Sequence, residues 1–216
     1  MNVLALDGAL GLFSAAVARD DRLSGCASQA GNVALERGLL LMREALDEAE
    51  LPHEYLDRLA VGTGPGSFTG LRIAIAYAKS LAAAWRLPLV AISSFDLLEF
   101  GRTFERVLTV VVGRPGVISA RYRAAAQTRR ASGRIGDVLD QLRLLPEKTP
   151  LEVVGAPKDV LHALAERALD VRPLDPAVMP AAAAAALAAG SRTPSASLHE
   201  VRADYGELPA AKIPKL

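Results

Sequence analysis

The chain has 216 residues, of which 51% are hydrophobic and 23% charged, enough apolar surface for one large domain or two small ones and too much for global disorder. A formal net charge of +1 argues against indiscriminate binding to nucleic acid or anionic membrane, and the single cysteine, Cys26, excludes an intramolecular disulfide and a multi-cysteine zinc site. Aromatic residues are 5% while alanine fills 40 positions, so the core must be built from small side chains with Leu, Val and Ile.

Residues 3–6 form a short apolar strand ending at Asp7, and Gly8 and Gly11 loosen the chain before a second β-like run over 12–18. With a turn at Asp20-Asp21 and a third run over 22–28, the pattern predicts an antiparallel meander. The first twelve residues have no basic leader and are interrupted by Asp7, unlike a signal peptide, so a reduced, cytoplasmic setting is expected. A helix is predicted from about Val33, with Leu35, Leu39, Met42, Leu46 and Ala49 on one stripe. Residues 59–61 form a brief strand that enters a glycine-rich loop.

Beyond that loop Leu71, Ile75, Ala78, Ala82 and Trp85 repeat the helical stripe, with further apolar residues on the other faces. A strand over 88–92 and a helix capped by Ser93 or Ser94 follow. Gly101 and Arg102 mark a boundary. After it come strands over 107–112, 117–125 and 151–154, and helices over 135–144, 158–168 and 177–189. The small-apolar run 181–189 is far too short for a membrane span. The expected division is a first subdomain over 1–100, a second over 101–190 and an extended, partly ordered tail over 191–216. No repeat of 20–50 residues is visible in the sequence.

The loop reads Gly62-Thr63-Gly64-Pro65-Gly66-Ser67-Phe68-Thr69-Gly70-Leu71-Arg72. A glycine-rich turn between strand and helix suits anion binding, because backbone N–H groups and the helix N-terminus point outward. The common phosphate and nucleophile motifs nevertheless fail. Leu71 follows Gly70 where a Walker A loop needs Lys, Ser67 stands where a dinucleotide fingerprint needs Gly, and Ser67 follows Gly66 directly, unlike a nucleophile elbow. The plain alternative is a tight turn whose glycines let strand and helix pack closely.

The string Gly64 to Arg72 closely resembles the signature of the TsaB family. Counterparts extend to the Asp7 strand, to Ala78-Lys79-x-Leu81-Ala82 and to Pro88-Leu89-Val90-x-Ile92-Ser93-Ser94. The resemblance covers roughly residues 1–100. It implies an α/β, actin-like, sugar-kinase-like (ribonuclease H-like) ATPase fold in two subdomains. It also implies a role in making threonylcarbamoyladenosine beside the anticodon of tRNAs reading A-starting codons, as a non-catalytic partner that activates the transferase TsaD. The ATPase TsaE completes that complex, ATP belongs to the complex rather than to this chain, and the free protein can form a homodimer. Within the loop, Ser67 and Thr69 are expected as capping hydroxyls and Arg72 as a polar anchor. The two helices would pack on a partner as a bundle, through Leu35, Leu39, Met42, Leu71, Ile75, Ala78 and Ala82; the other possibility is that these stripes cover the chain's own sheet.

The chain departs from the family at Gly8, where many members have Thr, and at Ala34, where a His is common. Over 112–119 only Arg114 survives of an Asp-Ala-Arg-x-x-Glu-Val-Tyr-like stretch. Between Gly113 and Gly136 stand six arginines and no acid, so Arg121, Arg123, Arg129 and Arg130 are candidate tRNA phosphate contacts or else a solvated face. A metallopeptidase is not expected, because His53, His162 and His199 are scattered. An independent ATP-dependent kinase or acyltransferase is the enzyme alternative, with Asp7 as the acid an actin-like fold places near metal or phosphate. Apolar Ala9 and Leu10 stand where such a site needs hydroxyls.

Overall fold

The computed structural model describes residues 1–31, 37–125, 127–175 and 179–206. Alternating side chains, apolar on both faces, put the first strands in the middle of a sheet buried from two sides. β1 (Asn2–Asp7), β2 (Leu12–Arg19) and β3 (Arg22–Ala30) form the expected antiparallel meander. β4 (Arg58–Gly62) and β5 (Leu89–Ile92) add parallel to β1, giving the order β3-β2-β1-β4-β5.

One face of this sheet carries Leu4, Leu6, Phe13, Ala15 and Val17, covered by α1 (Gly38–Glu48) and α2 (Phe68–Trp85). The other carries Val3, Ala5, Ala16, Ala18 and Ala60 and is covered by α6 (Ala181–Ala188). Six of the eight residues of α6 are buried alanines, which let the helix axis approach the small side chains of the sheet closely. α3 (Ser94–Leu98) follows β5, with Ser93 accepting the Asp96 N–H at 3.2 Å as its cap.

The second sheet contains β6 (Arg106–Arg114), β7 (Val117–Ala124), β8 (Gln127–Arg134), β9 (Leu151–Val154) and β10 (Val171–Leu174), in the order β10-β9-β6-β7-β8. Three antiparallel strands with two more parallel to the first reproduce the topology of the first sheet. The repeat is therefore one of topology, about half a chain long. α4 (Ile135–Leu142) and α5 (Lys158–Ala165) cover one face, around Leu108, Val110, Ile118 and Leu139.

Several boundaries differ from the sequence expectation. The first helix, predicted from Val33, is described from Gly38, and residues 32–36, including Leu35, lie outside the described residues. β8 was missed because four of its eight residues are Arg or Gly, and β10 because it is four residues long and contains Pro173. A boundary at residue 190 also needs correction. α6 belongs to the first unit, because its alanines pack on β1, β2 and β4 and not on the second sheet. The described part of the tail is laid along the first unit: Val201 is fully buried in its core, Ser195 N–H donates to Leu89 O at 2.9 Å, and Asp204 N–H donates to Thr63 O at 2.7 Å.

Candidate functional site

The glycine loop is built by close approach to the turn after β1. A Cβ on Gly70 would lie 1.8 Å from the carbonyl oxygen of Gly8, and one on Gly8 would lie 2.5 Å from Gly70 O. Gly64, with φ +98°, precedes a cis bond to Pro65. Ser67 N–H donates to Ala9 O at 2.9 Å, and Ser67 Oγ accepts the Gly70 N–H at 3.3 Å. Ser67 is thus the cap of α2, as expected, while no capping bond of Thr69 is found among the described residues. Arg72 does not anchor a polar network; its guanidinium lies 5.3 Å from the Phe68 ring, which stacks on Tyr205 at 4.7 Å. The Ser67 amide and the Gly70 amide are thus occupied within the chain, so the plain reading of the loop, tight packing of strand against helix, is the one the geometry supports.

Asp7 is fully buried, and one oxygen accepts the N–H groups of Ala9 at 3.0 Å and Leu10 at 3.2 Å. Its other oxygen has no partner and faces Gly62, where a Cβ would sit 2.0 Å away. Burial outweighs the two backbone bonds and pushes the carboxyl up to about 6. Ala9 and Leu10 also line a cleft of about 410 Å³ between the two units, together with Leu12, Leu97, Val112 and Met179. Among the described residues no charged side chain lines it. The Mg-ATP of the fold class does not fit these residues: a triphosphate needs cations and free amides, and the cleft offers hydrocarbon. Among the described residues no group of three His, Cys, Asp or Glu could hold a metal ion, and no helix is long and apolar enough to cross a membrane.

The expected partner stripe is mostly internal. Leu71 is fully buried, and Met42, Ile75, Ala78 and Ala82 are buried in the first core, Met42 also lining the groove between α1 and α2. An 18-residue helix packed on a sheet turns its most regular apolar stripe toward that sheet. Only Leu39 of the described set is exposed, at 55%. It stands on a second face, a groove of about 640 Å³ between α1 and α2 lined by Leu39, Leu46, Leu51, Pro52, Leu81 and Trp85. His53 stacks on Trp85 at 4.7 Å at its edge. Arg43, Asp47 and Glu50 supply the rim.

The arginine run is split by the pleat of β7 and β8. Arg121 and Arg123 point toward α3, where Arg121 meets Asp96 at 2.6 Å and Glu99 at 2.9 Å, and Arg123 meets Glu99. Arg130 pairs with Asp204 of the tail, and Arg121 and Arg130 flank the Phe95 ring at 5.1 and 4.9 Å. Arg129 faces the opposite side, donating to Leu142 O at 2.9 Å and lying over Tyr122. Each of the four is thus engaged within the chain, although the Arg123 and Arg130 side chains remain 43% and 42% exposed. The acids that neutralise them come from distant segments, which a local count of charge cannot see. Asp96, held by Arg121 and Arg192 against its burial, stays below the ordinary carboxylate range.

A model of the TsaD family, described as tRNA N6-adenosine threonylcarbamoyltransferase, matches residues 30–171. The tRNA threonylcarbamoyladenosine biosynthesis protein TsaB of Escherichia coli is 30% identical over 122 residues, 55% of this chain and 53% of that protein. TsaB of Bacillus subtilis is 32% identical over 76 residues, 35% of this chain and 33% of that protein. The chain thus spans between a third and about half the length of these curated relatives. Among solved structures, YeaZ from Pseudomonas aeruginosa aligns with a TM-score of 0.72 at 23% identity, covering 94% of this chain and 99% of that one. The fold is of the actin-like, sugar-kinase-like class that the sequence pointed to.

Proposed function

We propose a role for this chain from one premise: it belongs to the TsaD family, whose model matches about two thirds of its length. On that premise, and on its likeness to proteins named TsaB, the chain takes part in forming threonylcarbamoyladenosine on tRNA. It acts there as a non-catalytic partner that holds a separate TsaD transferase in its working form.

The observation that carries this reading is the apolar groove between α1 and α2, which leaves Leu39 exposed beside Leu81 and Trp85. Large apolar side chains gathered in one open groove with a charged rim are what a helix–helix interface needs. Small exposed residues near the C-terminal end of α2, Ala83 and Ala84, allow a partner helix to approach closely. The groove replaces the inner stripe as the proposed interface. A TsaD helix pair is its occupant, and a second copy of this chain is the occupant when TsaD is absent. The nucleotide chemistry of the reaction then lies with TsaD and with a TsaE-type ATPase. The independent kinase or acyltransferase is not supported, since it would need Asp7 and the apolar cleft to handle a triphosphate.

Titration calorimetry with the TsaD of the same organism tests the reading. Wild-type chain is expected to bind, and Leu39→Glu to lose binding at least tenfold while keeping its thermal midpoint. Equal binding by both would rule out the groove as the interface.

A further inference from the structure

The first unit carries a second cation-rich feature that differs from the arginine run in one decisive respect. Between α2 and the returning tail runs an open groove of about 750 Å³. Arg72 and Lys79 enter it from α2 and Arg202 from the tail, with Thr69 and Tyr205 at one end. Among the described residues no acidic side chain lines it. Arg202 makes a hydrogen bond only to the carbonyl of His199, and Arg72 lies on a ring face; among the described residues none of the three cations has a carboxylate partner.

Geometry adds a ligand class to the charge. Arg72 and Lys79 are seven residues apart on one helix face, about 10 Å along the axis, so they can meet separate anionic groups of one extended ligand. At the Arg72 end Phe68 is 51% exposed and stacked on Tyr205, with the guanidinium of Arg72 over its ring. Cations along an open track, with the exposed Phe68 ring and the half-buried Tyr205 ring at one end, match the way proteins hold single-stranded nucleic acid, phosphates on the cations and a base against a ring. An acidic peptide would use the cations and leave the ring pair idle.

We propose that the groove lined by Arg72, Lys79, Arg202 and Tyr205, with Phe68 stacked on Tyr205 at its end, binds single-stranded RNA. The groove's chemistry stands on these residues, whereas taking the physiological RNA to be the tRNA undergoing modification rests on the function proposed above. Three phosphate contacts predict that affinity falls roughly 20-fold between 50 and 200 mM salt.

The test is fluorescence anisotropy of labelled single-stranded oligoadenylate with the full chain. Lys79→Glu/Arg202→Glu is expected to weaken binding at least tenfold, and the milder Lys79→Gln/Arg202→Gln, which guards against misfolding, to weaken it in the same direction. The exposed Arg172→Glu on β10 serves as the charge control and should leave affinity within about twofold. Binding that is absent, insensitive to salt, or weakened equally by Arg172→Glu overturns the proposal. So does polyglutamate binding that depends on Lys79 and Arg202 while oligoadenylate does not bind, which would mark a protein-facing groove. If the chain binds RNA in this way yet its removal leaves tRNA modification intact, the functional reading fails and the groove stands.

Discussion

The two sheets share one strand order, yet they are finished differently. The first is covered on both faces by hydrocarbon, with α1 and α2 on one side and the alanines of α6 on the other. The second has a hydrocarbon core on one face; its other face mixes buried Val107, Val111 and Val154 with the ion pairs of Arg121, Arg123, Arg130, Asp96, Glu99 and Asp204 that join it to α3 and the tail. Apolar packing tolerates approximate complementarity, whereas a buried ion-pair lattice needs each partner in place. The first unit is thus a scaffold free to present its outer helix faces, and the second is fastened to it by charge.

Breaking each half should show this difference, and the largest effect is expected in the first. Ile75 is 7% exposed in the core beneath α2, at the margin of the groove that holds Arg72 and Lys79, so Ile75→Glu forces a charge into that packing. A loss of about 4 kcal/mol or more is expected, read as an unfolded far-ultraviolet spectrum. A folded variant that merely lost partner binding would restore the inner stripe as the interface.

Next comes the charge lattice. Glu99 is 5% exposed and joins Arg121, Arg123 and the Thr109 hydroxyl. Removing one partner of a buried pair strands the others, so Glu99→Ala should cost about 3 kcal/mol in denaturant unfolding. High salt should act mainly on the Arg123 pair, whose guanidinium side chain is 43% exposed, and little on Arg121–Glu99, which is largely buried.

A smaller, conditional effect belongs to Asp7. Its folded value of about 6 stands above the ordinary 3.8, so the native state holds the proton more tightly than the unfolded chain. Stability should be greatest below that window, fall as pH rises through it, and level off above about 6, by at most about 3 kcal/mol in total. Asp7→Asn, which cannot ionise, should flatten this slope in chemical denaturation series; an unchanged slope would assign it to other groups. The smallest effect on stability is expected on the outer face, where Leu39→Glu should shift unfolding by no more than about 0.5 kcal/mol.

The same contrast explains what the sequence disclosed. Period-2 and period-3.6 patterns placed nearly every element of the apolar first unit, and Ser67 and Ser93 marked their helix starts. In the second unit β8 and β10 escaped because polar and proline-containing edge strands carry no such pattern. Helical periodicity does not tell which apolar face of α2 meets the sheet, so it leaves the stripe open to either a partner or the chain's own sheet. The arginine run looked free because Asp96, Glu99 and Asp204, which neutralise it, lie 22 or more residues from the arginines they meet. The unpaired groove was hidden for the converse reason, since Arg72, Lys79 and Arg202 come together only when the tail folds back over α2.

The central claim, that this chain supports threonylcarbamoyl transfer to tRNA, is tested most directly by mass spectrometry of tRNA nucleosides after the protein is depleted in its source organism. The account predicts that threonylcarbamoyladenosine falls sharply and returns with the wild-type chain. An unchanged level after complete depletion would contradict it.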